Sequence, residues 1–258
     1  MLRPRIIPCL LVHRGGLVKT QGFKAPKYVG DPINAVKIFN EKEADELIVL
    51  DIDATVTGAE PNYGLIAKLA VECRMPLCYG GGVTGADQAK RIVALGVEKV
   101  ALSAAAVADP TLVTRIADEI GRQSVVVVLD VKKRLLARDP EVWTHNGQRN
   151  TERSVFDLAQ EMQDRGAGEI VVNSIDADGG MGGYDLALAK RLRQTLRVPL
   201  TVLGGAGSLD HISQLIDTCG SLVGAAAGSL FVFKGSYRAV LINYPSMAQR
   251  DALPRLKG

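Results

Sequence analysis

Aromatic residues are scarce: Phe, Trp and Tyr make up 5% of the 258 residues, and tryptophan occurs once. A chain so poor in rings and so rich in Ala, Val, Leu, Ile and Gly fits parallel strands buried on both faces better than an all-β sandwich. Cysteine is sparse too. Cys9, Cys73, Cys78 and Cys219 form no C-x-x-C pair, and none of His13, His145 and His211 stands at ligand spacing from them. No metal and no cofactor is therefore expected. Long apolar runs are missing. The longest weakly polar stretch, Cys219 to Phe233, is short and glycine-rich, so no transmembrane helix is expected. Met1, Arg3 and Arg5 lead into a short apolar run that reads as a strand rather than a signal peptide. A cytoplasmic protein with reduced thiols is the expectation. Charge is nearly balanced, at net +3, too little for a nucleic-acid footprint but compatible with an anionic small molecule.

What is present is a repeating alternation. With 47% hydrophobic residues there is ample core material. Short apolar runs predict strands at Arg5–Leu11, Glu46–Ile52, Pro76–Tyr79, Lys99–Leu102, Ser124–Asp130, Glu169–Ser174, Pro199–Leu203 and Leu222–Ala227. Helical patterns lie between them: Pro32–Asn40, opened by Asp31 as N-cap with Pro at the first helical position, then Gly85–Ala94 and Ser154–Asp164. Strands alternating with helices, with no linker, indicate an α/β chain folded as one (β/α)8 TIM barrel, a single domain over residues 1–258. The polar segment Lys132–Gln148 reads as a long loop or a small hairpin after the fifth strand.

The two halves of the chain repeat one another. Leu50-Asp51-Ile52-Asp53-Ala54 is matched by Asn173-Ser174-Ile175-Asp176-Ala177. Gly80-Gly81-Gly82 is matched by Gly204-Gly205-Ala206-Gly207, and Ser103-Ala104 by Gly228-Ser229. Two four-strand half-barrels follow from this order. In a (β/α)8 barrel the C-terminal ends of the strands build the site. Glycines there let backbone N–H groups approach an anion, and a helix starting beside them points further N–H groups at it. The same glycines could serve only to turn tight corners. In register within a repeat, Gly81, Gly82, Ser103 and Ala104 on one side and Gly204, Gly205, Gly228 and Ser229 on the other form two candidate phosphate sites. Neither loop fits the P-loop pattern.

Asp51, Asp130 and Asp178 fall at or just past strand ends, where a carboxylate can act as acid or base, bind ligand hydroxyls, or pair with a neighbour such as Lys19. Lys19 falls in the loop after the first strand, where it can close over a phosphate or stand in solvent. No Ser/His/Asp or Cys/His arrangement is apparent. His13 is near the mouth, His145 and His211 fall in a loop and a helix, Cys9 reads as core, and Trp143 and Tyr184 read as packing or as a platform for a ligand ring.

Arg5-Ile6-Ile7-Pro8-Cys9-Leu10, Val18-Lys19, Gly30-Asp31-Pro32, Leu50-Asp51-Ile52, Gly80-Gly81-Gly82, Gly166-Ala167-Gly168-Glu169-Ile170, Asp176-Ala177-Asp178-Gly179 and Gly204-Gly205-Ala206-Gly207 resemble the cyclase subunit of imidazole glycerol phosphate synthase over nearly the whole chain. The resemblance implies a glutaminase partner that forms a heterodimer at the barrel bottom. Ammonia from it crosses the barrel to a bis-phosphorylated ribulosyl-formimino nucleotide, giving imidazole glycerol phosphate and AICAR. It also implies ligand contacts from Lys19, Asp51, Asn173, Asp178 and Gly179, and an ammonia entrance formed by Arg5, Glu46, Lys99 and Glu169. That charged set could be a gate or a plug sealing the barrel floor.

The departures from the family are at the mouth. Of its two catalytic aspartates, Asp130 supplies one and Leu11 occupies the place of the other. Leucine transfers no proton, and losing one member of an acid/base pair forfeits about 10²–10⁴ in rate. Ser103, Asn173 and Leu203 also depart from the family's usual residues. Leu11-Val12 followed by Gly15-Gly16-Leu17-Val18-Lys19-Thr20 looks like a divergent branch found with surface-polysaccharide genes. There the barrel and a glutaminase supply ammonia to a third protein that amidates a nucleotide-linked sugar. Three expectations compete: an ammonia-channelling paralogue of lipopolysaccharide (O-antigen) biosynthesis with weak or absent cyclase activity, a working cyclase (a lyase) of histidine biosynthesis, and a lone phosphosugar isomerase.

Overall fold

A computed structural model describes residues 3–134, 139–220, 222–235 and 237–255. Eight parallel strands close into a barrel: β1 (Arg5–His13), β2 (Leu47–Asp51), β3 (Leu77–Gly80), β4 (Lys99–Leu102), β5 (Val125–Lys132), β6 (Glu169–Ser174), β7 (Leu200–Leu203) and β8 (Val223–Ala227). Each pairs with its chain neighbour, and β8 pairs back onto β1 from Arg5↔Gly224 to Pro8↔Ala227, which seals the cylinder. Helices link the strands outside it. Asp31 caps the first, Pro32–Glu41, accepting from the Asn34 amide at 2.9 Å, and Ser154 caps Val155–Asp164, accepting from the Phe156 amide at 3.2 Å. Among the described residues no helix is long and apolar enough to cross a membrane.

Period-two alternation divides the apolar side chains into two cores. Ile6, Leu10 and Val12 of β1 face the helices in the larger core, whereas Ile7 and Cys9 face inward with Ile48, Cys78, Ala101, Val126, Val128, Val171, Leu203 and Ala226. Leu11 and Leu50 pack on the upper end of this inner core. The barrel is thus filled between an ionic floor and an open mouth.

Several elements differ from the sequence-based expectation. Lys19 does not sit in a loop. It lies in a hairpin, Gly16–Gln21 with Lys24–Gly30, whose first strand pairs antiparallel with β1 at Leu11↔Val18. Of the two alternatives for Lys132–Gln148, the hairpin is found: β5 runs on to Lys132, then Glu141–Thr144 pairs with β5 and with Arg149–Ser154. Residues 135–138 of that segment lie outside the described residues. A second small hairpin, Phe233–Lys234 with Ala239–Val240, and a helix Met247–Asp251 follow β8.

Candidate functional site

At the C-terminal ends of the strands lies a cavity of about 510 Å³, the size of a small-molecule site. The fold brings together the candidate phosphate, ligand and acid/base residues singled out for the mouth, though not His13. Gly81 and Gly82 after β3, Ser103 and Ala104 after β4, Gly204 and Gly205 after β7, and Gly228 and Ser229 after β8 all line it, with Lys19, Asp51, Asn173, Asp178, Gly179, Asp130 and Leu11. The repeat recurs in three dimensions. A Cβ on Gly81 would approach the carbonyl of Asp51 at the end of β2 to 2.6 Å, and one on Gly204 that of Ser174 at the end of β6 to 2.7 Å. Both glycines also have positive φ, +127° and +94°. Close packing alone therefore demands glycine there, and it leaves the loop amides against the cavity.

Two polar groups on the β8 side lack partners among the described residues. The Ser229 hydroxyl oxygen is buried without a hydrogen bond to any of them. Lys19 is 6% exposed, and no carboxylate among the described residues lies within ion-pairing distance. A Cβ on Gly228 would strike its ammonium, so the charge rests directly on the backbone that begins the turn Ser229–Val232. A buried, unpaired cation is costly unless an anion joins it.

Asp130 and Leu11 face each other across the mouth, one on β5 and one on β1, four strands apart in a closed ring of eight. Burial pushes the Asp130 carboxyl up to about 7; Asn173 opposes this by donating to Oδ1 at 2.9 Å, and nearby Asp178 adds to it. Such a group exchanges protons near neutral pH. Leu11 offers only methyl groups packed on the inner core. Asp51 is also raised, by burial first, although its Oδ1 accepts from the amides of Asp53 and Ala54 at 3.0 and 3.2 Å. Asp178 pairs not with Lys19 but with the first hairpin, accepting from Thr20 Oγ1 at 2.6 Å and from the Phe23 amide at 3.1 Å. Cys9 reaches the cavity floor, but burial pushes its thiol to about 12, which suits packing rather than nucleophilic attack.

The remaining candidates separate. His13 binds Asp53, with 2.7 Å between Nδ1 and Oδ1, and His211 Nδ1 accepts from the Gly207 amide at 3.1 Å; neither lines the cavity. Tyr184 is a strut, its hydroxyl donating to the Ala226 carbonyl at 2.9 Å, and Trp143 lies outside the cavity lining. Sequence reasoning missed Thr20, Phe23, Asn146 and Met181 as lining residues and passed over His145, which also lines the cavity. His145 is held below its ordinary range by burial and by Arg149. No local signal marked it, because its place depends on how far the hairpin after β5 reaches.

At the opposite end, Arg5, Glu46, Lys99 and Glu169 form a closed ring. Arg5 reaches Glu46 at 2.5 Å and Glu169 at 2.8 Å, and Lys99 reaches the same two carboxylates at 2.7 and 2.8 Å. Thr201 Oγ1 donates to Glu169 at 2.6 Å. Burial alone would raise Glu169; the two cations instead hold it at about 2. Gly224 makes room for this floor, since a Cβ there would collide with Thr201 and crowd Arg5.

Residues 5–238 match the model of the family described as histidine biosynthesis protein. A protein of Vibrio vulnificus, provisionally named imidazole glycerol phosphate synthase subunit hisF3, is 56% identical over 250 residues, covering 97% of this chain and 96% of its own. One of Pseudomonas aeruginosa, provisionally named subunit hisF2, is 52% identical over 252 residues, with 97% and 99% covered. The imidazole glycerol phosphate synthase subunit HisF of Microcystis aeruginosa is 37% identical over 246 residues, with 95% and 96% covered. The chain therefore belongs to the histidine biosynthesis protein family, within its HisF group of (β/α)8 barrels.

Proposed function

We propose that this chain, acting as a single barrel domain in the cytoplasm, binds a bis-phosphorylated ligand at its mouth and passes ammonia from a glutaminase at its floor to a third protein. That protein amidates a sugar in surface-polysaccharide (O-antigen) biosynthesis, and the chain's own cyclase activity is weak or absent. The observation that carries the reading is Leu11, which lines the cavity opposite Asp130 where the acid/base chemistry of the family needs a second carboxylate. With one proton-handling group in place of two, about 10²–10⁴ in rate goes with the missing one. The phosphate-binding role of Gly81, Gly82, Ser103, Ala104, Gly204, Gly205, Gly228 and Ser229 is supported by two matched loops around one cavity and by Lys19 and Ser229, which lack partners among the described residues.

Support for ammonia passage comes from the floor. The barrel interior, packed with Ile7, Ile48, Cys78, Val126 and Val171, is apolar, so a path opened through it by side-chain motion would admit neutral ammonia and exclude ammonium, whose desolvation is costly. The charged ring above which it begins is closed here, so passage requires at least one ion pair to swing aside, which contact with a partner on the bottom face could drive. Two of the more similar relatives carry the numbered names hisF3 and hisF2, as expected of additional copies.

A working cyclase of histidine biosynthesis is the second reading, favoured by Asp130 near neutrality among intact anion loops. Co-expression with a glutaminase and complementation of a histidine auxotroph separates the two. The proposal expects a stable heterodimer that hydrolyses glutamine but leaves the auxotroph unable to grow. Growth restored by the wild-type chain would establish the second reading instead.

A further inference from the structure

Two anion cradles sit across the mouth from one another, but the basic side chains are unevenly placed. Among the described lining residues only Lys19 and His145 are basic, against Asp51, Glu60, Asp130 and Asp178. Lys19 belongs to the β7–β8 cradle, because its ammonium lies on Gly228. Among the described residues no lysine or arginine lines the cavity near the β3–β4 cradle, and His145 is the basic lining group left for it.

The hairpin after β5 carries His145 to that side. It leaves the barrel beside β4 and reaches β2, the neighbour of β3, where Asn146 Nδ2 donates to the Ile52 carbonyl at 2.8 Å. Ile52 is itself tied to β1 through its amide and the Val12 carbonyl at 3.0 Å. The tip is built for this reach. His145, Asn146 and Gly147 have φ of +55°, +56° and +71°, a left-handed run that L side chains seldom adopt. At Gly147 a Cβ would come within 3.4 Å of both Phe23 and Ile175, so the tip is wedged between the first hairpin and the loop after β6. His145 Nδ1 lies 3.0 Å from Thr144 Oγ1, which fixes the ring, and Nε2 has no partner among the described residues. In the closed ring of eight, a chord from β5 to β2 leaves β3 and β4 on its shorter side, so the tip borders the cradle that has no lysine or arginine among the described lining residues.

We propose that His145 is the basic partner of the phosphate held at the β3–β4 cradle, the counterpart of Lys19 at the β7–β8 cradle, and that the Glu141–Ser154 hairpin is the element that delivers it. The proposal rests on the cavity binding a bis-phosphorylated ligand. The chain has three histidines, His13, His145 and His211, so their imidazole signals can be assigned by single substitutions. These signals are followed by NMR while ribulose 1,5-bisphosphate, as a two-phosphate probe, is titrated into the wild type, His145→Leu, His145→Gln and Asn146→Ala. The expected result is a shift of the His145 signal with His13 and His211 unmoved. Probe binding should weaken about tenfold to a hundredfold in His145→Leu, the loss of one hydrogen bond to a charged group. It should weaken less in His145→Gln, which keeps an N–H donor, and in Asn146→Ala, which frees the tip. Wild-type binding with a silent His145 signal and a His145→Leu affinity within twofold would overturn this proposal and leave the phosphate reading intact. No probe binding to the wild type would overturn both.

Discussion

Glu169→Gln is the sharpest test of the ionic floor. The Glu169 carboxylate is 4% exposed and receives Arg5, Lys99 and Thr201. Burial opposes its charge, yet the two cations hold it at about 2 against an ordinary 4.5, a fall that corresponds to about 3 kcal/mol. Because the folded-state pKa is depressed, this stabilisation is complete above pH 4.5 and is lost as pH falls towards 2. Glutamine preserves the volume and a carbonyl for Thr201 but leaves Arg5 and Lys99 sharing Glu46 alone. Breaking a buried ionic group in this way costs about 3–5 kcal/mol. Urea unfolding of the isolated chain at pH 7 should place the variant about 3 kcal/mol below the wild type, roughly 6–12 °C in Tm for a domain of this size. The gap should close between pH 4.5 and pH 2, as the wild type loses its own advantage. A difference under about 1 kcal/mol at pH 7, or a gap that ignores pH across that window, would refute the reasoning and reduce the ring to a screened surface feature.

Other substitutions carry their own expectations. Asp130→Asn should stabilise the chain by about 4 kcal/mol at pH 8: a carboxyl raised to about 7 costs stability as pH climbs from 4 to 7, and the advantage should vanish below pH 4 in parallel unfolding curves. Leu11→Asp should lose about 1–3 kcal/mol of stability from the removed apolar contact and gain at least about 10²-fold in ammonia-dependent cyclase rate; a folded variant with no gain would mean the mouth is unfit for cyclisation for another reason. Gly204→Ala should both destabilise the fold and weaken phosphate binding, since the new Cβ would press on the Ser174 carbonyl 2.7 Å away; unchanged calorimetric binding would remove this loop from the anion site.

The strands and the inward parity of the mouth residues were legible in the sequence because both follow from short-range patterns. β4 and β6 have the predicted limits, Lys99–Leu102 and Glu169–Ser174. Where Leu11 points follows from Cys9, Ile7 and Arg5 two, four and six residues below it on one strand face. The ring at the floor was legible from the family pattern, since each charge stands at or next to a strand start. Pairings between loops were not. Nothing local tells that Asp178 binds Thr20 and Phe23 from 158 and 155 residues away, or that Lys19 belongs to a strand laid against Leu11. His145 was passed over for the same reason. Its role depends on how far the hairpin after β5 reaches, and that distance is set by the left-handed tip and the bond from Asn146 to Ile52 rather than by composition.

The most direct measurement is steady-state turnover of the purified wild-type chain, supplied with an ammonium salt and the bis-phosphorylated ribulosyl-formimino nucleotide. With Leu11 facing Asp130 across the cavity, the nucleotide should bind while imidazole glycerol phosphate forms at least about 10²-fold more slowly than in a two-aspartate cyclase assayed alongside. Product formed at the rate of that cyclase would contradict the account.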